Sequence, residues 1–340
     1  MEGTSVVRHA RRLLLALVTL LCAPHPAWSW GNDGHHVVGT MADLLLEQHP
    51  TTHDKVRTIL GGASLAEATV WADCAKGFVH CQRDPTPEEK AFTQRNPRHR
   101  SFHYTNVPVQ QPEYRAGTAG TASDDIVQVL EHAVSVLRGQ APASGPAVLD
   151  QQEALWLIAH LVGDIHQPLH VGAIYFDEVC QTVVDPNVVG MGLPNFGIDT
   201  VVASITGGNA LKLGSGNLHT YWDSGTVKGA MRAAGVRNGS VQDFALWLVN
   251  HPPVGWEMSD EPSTWPARWA SEILPLAQTA LSRVTVGAPE EAEDDPKLKC
   301  TWPVVLEPGY GPWANQQALV QLGKAGFRLA ALLRAALENR

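Results

Sequence analysis

Eight stretches of this chain space their apolar residues at the α-helical period, and that pattern constrains the fold more than any other feature. They cover residues 35–48, 50–60, 65–75, 123–138, 150–165, 241–250, 264–279 and 314–337. Asp125 or Ser123 fits as the N-cap of the fourth, and Asp150 as the N-cap of the fifth. Between Val171 and Gly216 the period stops, and the Gly-, Val-, Asn- and Pro-rich sequence reads as a long loop with a short hairpin around Gly207-Gly208-Asn209. Gly287 to Pro312 reads as a second loop, its acidic run from Glu290 to Asp295 a solvated surface. No internal repeat and no clean linker interrupts the pattern. The fold class expected is therefore all-α, a single compact multi-helix domain with a short β-hairpin and long loops. With 44% hydrophobic residues in 340, the chain can bury a sizeable core.

Residues 1–29 stand apart from that domain. Arg8, Arg11 and Arg12 precede an apolar run from Leu13 to Leu21, followed by Pro24-His25-Pro26 and the triplet Ala27-Trp28-Ser29. This is the layout of a secretory signal peptide with cleavage after Ser29, which leaves a mature domain of residues 30–340 beginning at Trp30. The apolar run is far shorter than the ~20 residues of a membrane span. No later stretch reaches that length without charges, Gly or Pro, so a soluble exported protein, periplasmic or secreted, is expected. Cleavage removes three arginines and Glu2, taking the formal charge from −9 to −11. It also leaves Cys74, Cys81, Cys180 and Cys300, which in an exported chain point to two disulfides. Three pairings are open; a short Cys74–Cys81 loop and a long Cys180–Cys300 closure are favoured, free thiols or a thiolate metal site being the alternatives, and the lack of a Cys-x-x-Cys pair argues against a thiolate zinc site.

The chemistry sits in the histidines, 15 of them against 25 Lys plus Arg. His160 and Asp164 lie four apart on a predicted helix, so both project from one face. Pro168 ends that helix and lets His170 swing back, with His166 between as a neighbour of the ligands. Asn217-Leu218-His219-Thr220-Tyr221-Trp222-Asp223 repeats the His-x-x-x-Asp spacing. Upstream stand Asp73, at a helix end, and His103, in the extended segment Ser101-Phe102-His103-Tyr104; His35 follows five residues after Trp30. One His-x-x-x-Asp pair alone is ordinarily a surface or capping pair. Two such pairs with a third aspartate and two more histidines form a set of neutral imidazoles and carboxylates, which zinc takes where thiolates are absent. His36, His49, His53, His80, His99, His132 and His251 read as surface or core residues.

In this order the motifs resemble the trinuclear-zinc, single-strand-preferring nucleases and 3′-nucleotidases of fungi, plants and bacteria, and the chain is identified as a bacterial-type member. The resemblance runs from Trp30-Gly31 through His103-Tyr104 and the two His/Asp blocks to Arg268-Trp269-Ala270 and Gly326-Phe327-Arg328-Leu329-Ala330. It implies three Zn²⁺ ions in a cleft. Asp73, His103, His160 and Asp164 would hold the first, and His170, His219 and Asp223 a more separated second. The amine and carbonyl of Trp30 with His35 would hold the third, bridged to the first by Asp164. On this pattern the amine exists only after signal cleavage, so activity waits on export. The implied reaction is in-line attack on phosphorus by a hydroxide shared by the first and third ions, giving 5′-phosphomonoesters. Asp73 and Asp164 are then the catalytic carboxylates.

The same resemblance places Tyr104 as the aromatic that stacks on a base, Asn106 where fungal members carry an acid, and Lys76 near a phosphate-contacting basic position. The amide at Asn106 cannot pair as a charge, and the stretch from Ala173 to Thr206 is longer than the fungal pattern. Single-stranded DNA or RNA and 3′-nucleotides are the expected partners of a monomer. A zinc-dependent phospholipase C is the nearest alternative, but its last ligand motif ends in Glu where this chain has Asp223. A non-catalytic zinc-binding protein is the other. The acidic charge argues against a broad basic face that grips duplex DNA, not against a metal cleft that takes a few phosphates.

Overall fold

Where a helical stretch is apolar on every side, it belongs in the middle of a domain rather than on its surface. The computed structural model describes residues 30–77, 81–140, 144–188, 202–292 and 298–338. Its helices are α1 (Gly31–Leu46), α2 (Pro50–Ile59), α3 (Leu65–Ala68), α4 (Trp71–Cys74), α5 (Pro87–Arg95), α6 (Ile126–Leu137), α7 (Gln151–Asp164), α8 (Leu218–Thr220), α9 (Val227–Ala233), α10 (Val241–Asn250), α11 (Trp265–Ser282) and α12 (Tyr310–Leu337). Helix α7 is the central one, with every residue from Leu157 to Asp164 buried. A reciprocal capping box starts it: Asp150 accepts from the Glu153 amide at 2.8 Å, and Glu153 accepts from the Asp150 amide at 3.1 Å. Asp125, of the two N-caps expected for α6, is the one used, accepting from the Val127 and Gln128 amides. Helix α6 packs on α7, while α1 packs on α12 and α10, and α12 also covers α9 and α7.

The domain is mostly helical, but its strands exceed the single hairpin expected. Strands β1 (Val107–Pro108) and β2 (Gly172–Ala173) pair in parallel. Strand β3 (Tyr175–Asp177) lies antiparallel between β4 (Val183–Val184) and β5 (Val202–Ser204). A third sheet runs β7-β6-β10-β8, from β6 (Leu211–Leu213), β7 (Gly216–Asn217), β8 (Val284–Val286) and β10 (Cys300–Leu306), with β9 (Glu290–Glu291) also on β10. The hairpin is therefore not at Gly207-Gly208-Asn209. That tripeptide joins β5 and β6, which belong to different sheets, whereas the tight turn lies at Gly214, whose φ of +59° suits a two-residue β6–β7 connection. The expected loop from Gly287 to Pro312 contains β10, where Trp302 stacks on Phe176 at 4.4 Å. Its acidic run reaches β9, and residues 293–297 lie outside the described residues.

Residues 65–75 form two short helices instead of one, and α5 and α9 were not expected. Yet α5 opens on a capping box, Thr86 with Glu89, that is visible in the sequence. Both favoured disulfides are present, Cys74–Cys81 and Cys180–Cys300. The second ties β10 to the segment after β3, and Trp302 donates to the Cys180 carbonyl at 3.0 Å. Among the described residues no helix is long and apolar enough to cross a membrane. The proposed signal peptide and His80 lie outside the described residues.

Candidate metal centre

The last turn of α7 places His160 and Asp164 on one face, with Nε2 and Oδ2 3.1 Å apart. His103 brings Nδ1 to 3.0 Å from each of those atoms. Asp73, on α4, brings Oδ1 to 3.7 Å from His160 Nε2 and 3.8 Å from His103 Nδ1. The other oxygen of Asp164, Oδ1, faces Nε2 of His35 at 3.2 Å. The His35 and His160 rings stack at 4.0 Å, 13° from parallel. Only glycine at 163 leaves room for this, because a Cβ there would lie 2.9 Å from His35 Nδ1. Trp30 is fully buried beside the same turn, donating Nε1–H to the Gly163 carbonyl at 2.8 Å.

A further group forms where Pro168–His170 makes a 3₁₀ turn and Tyr221–Thr226 a π-helical one. His219 Nε2 lies 3.3 Å from Asp223 Oδ2, and the His170 ring stacks on that of His219 at 4.9 Å. Three sets result: Asp73, His103 and His160; His35, His160 and Asp164; and His170, His219 and Asp223. In each, one donor atom per residue lies within 4.8 Å of the others.

Backbone carbonyls decide which ring nitrogens face inward. His160, His170 and His219 each direct Nδ1 at a carbonyl, of Thr69 at 2.6 Å, His103 at 2.7 Å and Gly207 at 2.7 Å. The Nδ1 proton is thereby assigned, and Nε2 is left as an electron-pair donor toward the cluster. Both ring nitrogens of His35, Asp164 Oδ1, His170 Nε2 and Asp223 Oδ2 are buried without a hydrogen-bond partner. Each such atom costs ~1–3 kcal/mol if left so, and a metal ion taking one nitrogen of His35 and the other three atoms would remove the cost at those. The donors are all imidazole nitrogen and carboxylate oxygen, a set that fits zinc.

Burial, aided by His160, lowers His35 to about 4, and burial with His170 lowers His219 to about 3. His103 and His170 are lowered too, chiefly by burial. At His160 burial also pushes down, but Asp164 and Asp73 outweigh it and raise the ring. Burial pushes Asp73 and Asp164 up; Lys76 and His160 overcome it at the first, His160 and His170 at the second, and both stay well below the usual carboxylate range. Asp223 behaves oppositely. Burial, with the charges of Asp164 and Asp73 adding to it, carries it well above that range, and Gln167 and Lys76 oppose the shift.

The other expected residues stand around this core. Lys76 pairs with Asp73, Nζ to Oδ1 at 2.7 Å. Tyr104 is half-buried, its phenol raised to about 12 by burial and then by the charge of Asp124. Asn106 is buried, and its carbonyl accepts from the Tyr175 hydroxyl at 2.7 Å. His103 ends a 3₁₀ helix, His99–His103, and does not lie in an extended segment; extended backbone begins at Tyr104. Asp124 holds that helix, accepting from Arg98 Nε at 2.7 Å and Ser101 Oγ at 3.2 Å. His166 turns from the cluster, with Nδ1 on the Val162 carbonyl at 2.7 Å and Nε2 accepting from Arg328 at 2.9 Å. Gln167 is the residue that motif spacing missed; it donates to Asp223 Oδ1 at 2.8 Å.

Fold and site together define a helical protein built around adjoining His/Asp groups for metal. A model of the S1/P1 nuclease family matches residues 30–338. The chain belongs to the S1/P1 nuclease family. It is similar to Endonuclease 2 of Arabidopsis thaliana, 24% identical over 94% of this chain and 95% of the relative. Endonuclease 1 of the same plant is 23% identical over 80% of this chain and 81% of its own length. Nuclease S1 of Aspergillus oryzae is 25% identical over 47% of this chain and 50% of its own.

Proposed function

We propose that this zinc-dependent nuclease is an exported phosphodiesterase and endonuclease that cleaves single-stranded DNA and RNA at the P–O3′ bond, leaves 5′-phosphomonoesters, and dephosphorylates 3′-nucleotides. The observation that carries the reading is Asp164, whose two oxygens face different histidine groups, as a bridging carboxylate requires. Three ions per chain fit the three groups. Asp73, His103, His160 and Asp164 would hold one, and His170, His219 and Asp223 another. His35, Asp164 and the amine and carbonyl of Trp30 would hold the last. When bound, zinc supplies Lewis acidity, lowering the pKa of water to ~7 and offsetting phosphate charge.

The remaining work falls to the chain's own groups. Asp73, kept ionised by Lys76 and His160 against its burial, is a weak base, suited to accepting a hydrogen bond from the attacking water and aiming it at phosphorus. Lys76 sets a positive charge beside that carboxylate, suited to attract a phosphate oxygen. Tyr104 supplies a ring for one base to stack on, a contact worth ~1–3 kcal/mol. Asn106 offers an uncharged amide nearby. Such a site needs a strand that can be splayed against it, which favours single strands. Residues 1–29 direct export, to which the two disulfides are suited, and their removal frees the Trp30 amine of a monomeric mature domain.

The test uses protein beginning at Trp30, assayed with and without chelator on denatured DNA, RNA, 3′-nucleotides and phosphatidylcholine. Chelator-sensitive cleavage of the nucleic acids to 5′-phosphate ends, with three zinc ions per chain, is the expected result. Lipid hydrolysis without nucleic-acid cleavage overturns the reading. Full zinc content and activity in a protein with one extra residue before Trp30 overturns the role of the amine.

A further inference from the structure

Gln167 lies between Asp164 and His170 in sequence, is wholly buried, and belongs to none of the three donor groups. Its side chain joins two elements. Oε1 accepts from the Leu169 amide at 2.5 Å, capping the 3₁₀ turn that carries His170. Nε2 donates to Oδ1 of Asp223 at 2.8 Å, across 56 residues of sequence. The orientation of the amide is not ambiguous, because the backbone N–H can only donate and so fixes which end is oxygen.

We infer that Gln167 is the positioning residue of the His170–His219–Asp223 centre, setting two of its three donors with one side chain. With Oδ1 tied, Asp223 presents Oδ2 toward His219 and leaves it without a hydrogen-bond partner. The capped turn does the same for His170, whose Nδ1 is taken by the His103 carbonyl and whose Nε2 is left unpartnered. An amide suits this task where a cation does not. It donates a hydrogen bond without neutralising the carboxylate, so the negative charge stays available to a metal ion. This inference rests on the zinc reading of the site and concerns only this one centre.

The experiment measures zinc retention against graded chelator in the mature protein and in His219→Ala, Gln167→Met and Gln167→Glu. His219→Ala identifies which ion belongs to the centre. Gln167→Met removes both hydrogen bonds. Gln167→Glu keeps an acceptor for Leu169 and replaces the donor to Asp223, so it isolates the tether if the Met variant does not fold. Both Gln167 variants are expected to loosen the ion lost in His219→Ala by about 10–100-fold and to hold the others at wild-type affinity. In cobalt-substituted protein the visible band assigned to that ion by His219→Ala should change in Gln167→Glu, a signature that general destabilisation does not produce. Wild-type retention of that ion in Gln167→Glu, or loosening of ions that His219→Ala keeps, overturns the inference alone. If His219→Ala releases no ion, the zinc reading of this centre falls and the inference falls with it.

Discussion

At the scale of single residues, Asp164 presents Oδ1 to His35 and Oδ2 to His103 and His160, so its removal should reach two ions, unlike that of any other aspartate here. Asp164→Asn keeps the shape but removes the charge and one acceptor oxygen. It is expected to hold one zinc per chain where the proposed wild-type complement is three, with activity down ~10²–10³-fold, the scale set by loss of transition-state charge stabilisation. His219→Ala should lose one ion only, and metal analysis of the two variants side by side checks the assignment. Gly163 poses a contest of magnitudes. Alanine in a helix interior gains up to ~1 kcal/mol in propensity, but its Cβ would lie 2.9 Å from His35 Nδ1. Overpacking of this kind costs ~1–3 kcal/mol, and the stacked imidazoles cannot retreat without losing alignment. Gly163→Ala should therefore lower the melting temperature and weaken zinc binding at His35, both readable in one thermal and one chelator titration.

At the scale of elements, α7 separates stability from ligation. Its capping box is at Asp150 and its candidate metal donors lie on the last two turns, at His160 and Asp164. Asp150→Ala is expected to cost ~0.5–2 kcal/mol in denaturant unfolding and to leave zinc content unchanged. The sequence alone disclosed α7 because an apolar period over fourteen residues and a capping pair are local signals. It singled out His160, Asp164 and His170, which the structure brings together, because i,i+4 spacing and a helix-ending proline are local too. What it hid is non-local or short. A 3₁₀ turn under His170, a π turn under Asp223 and the 3₁₀ helix under His103 are each too brief to show a period. Strand β10 takes its place from β6, far earlier in the chain, through pairs such as Trp302 with Leu211. The carbonyls of Thr69, His103 and Gly207 escape any motif, since every residue carries one. Gln167 escaped for another reason: its function depends on Asp223, which only folding brings within reach.

At the scale of the whole molecule, a chain of formal charge −9 buries His35, His103, His170 and His219 at its centre, and burial lowers each of these rings, whereas Asp164 and Asp73 raise His160. This has a consequence for stability that does not need zinc. His99 is buried outside the donor groups, and burial, with Arg100 and Lys76 adding to it, lowers its ring to about 4 from an ordinary 6.5. Between those two values the unfolded chain takes a proton that the native chain refuses. Stability from this group is therefore complete above pH 6.5 and falls as the pH drops toward 4, by at most ~1.4 kcal/mol per pH unit. His35 and His219 carry the same sign. With zinc bound the fall should be steeper, because protons then also compete with the metal for its ligands. In chelator, the denaturant midpoint is expected to decrease steadily from pH 7 to pH 5, and His99→Gln should flatten part of that slope while leaving the pH 7 zinc content intact. An unchanged slope in His99→Gln would show that this ring is not among the groups that folding keeps neutral.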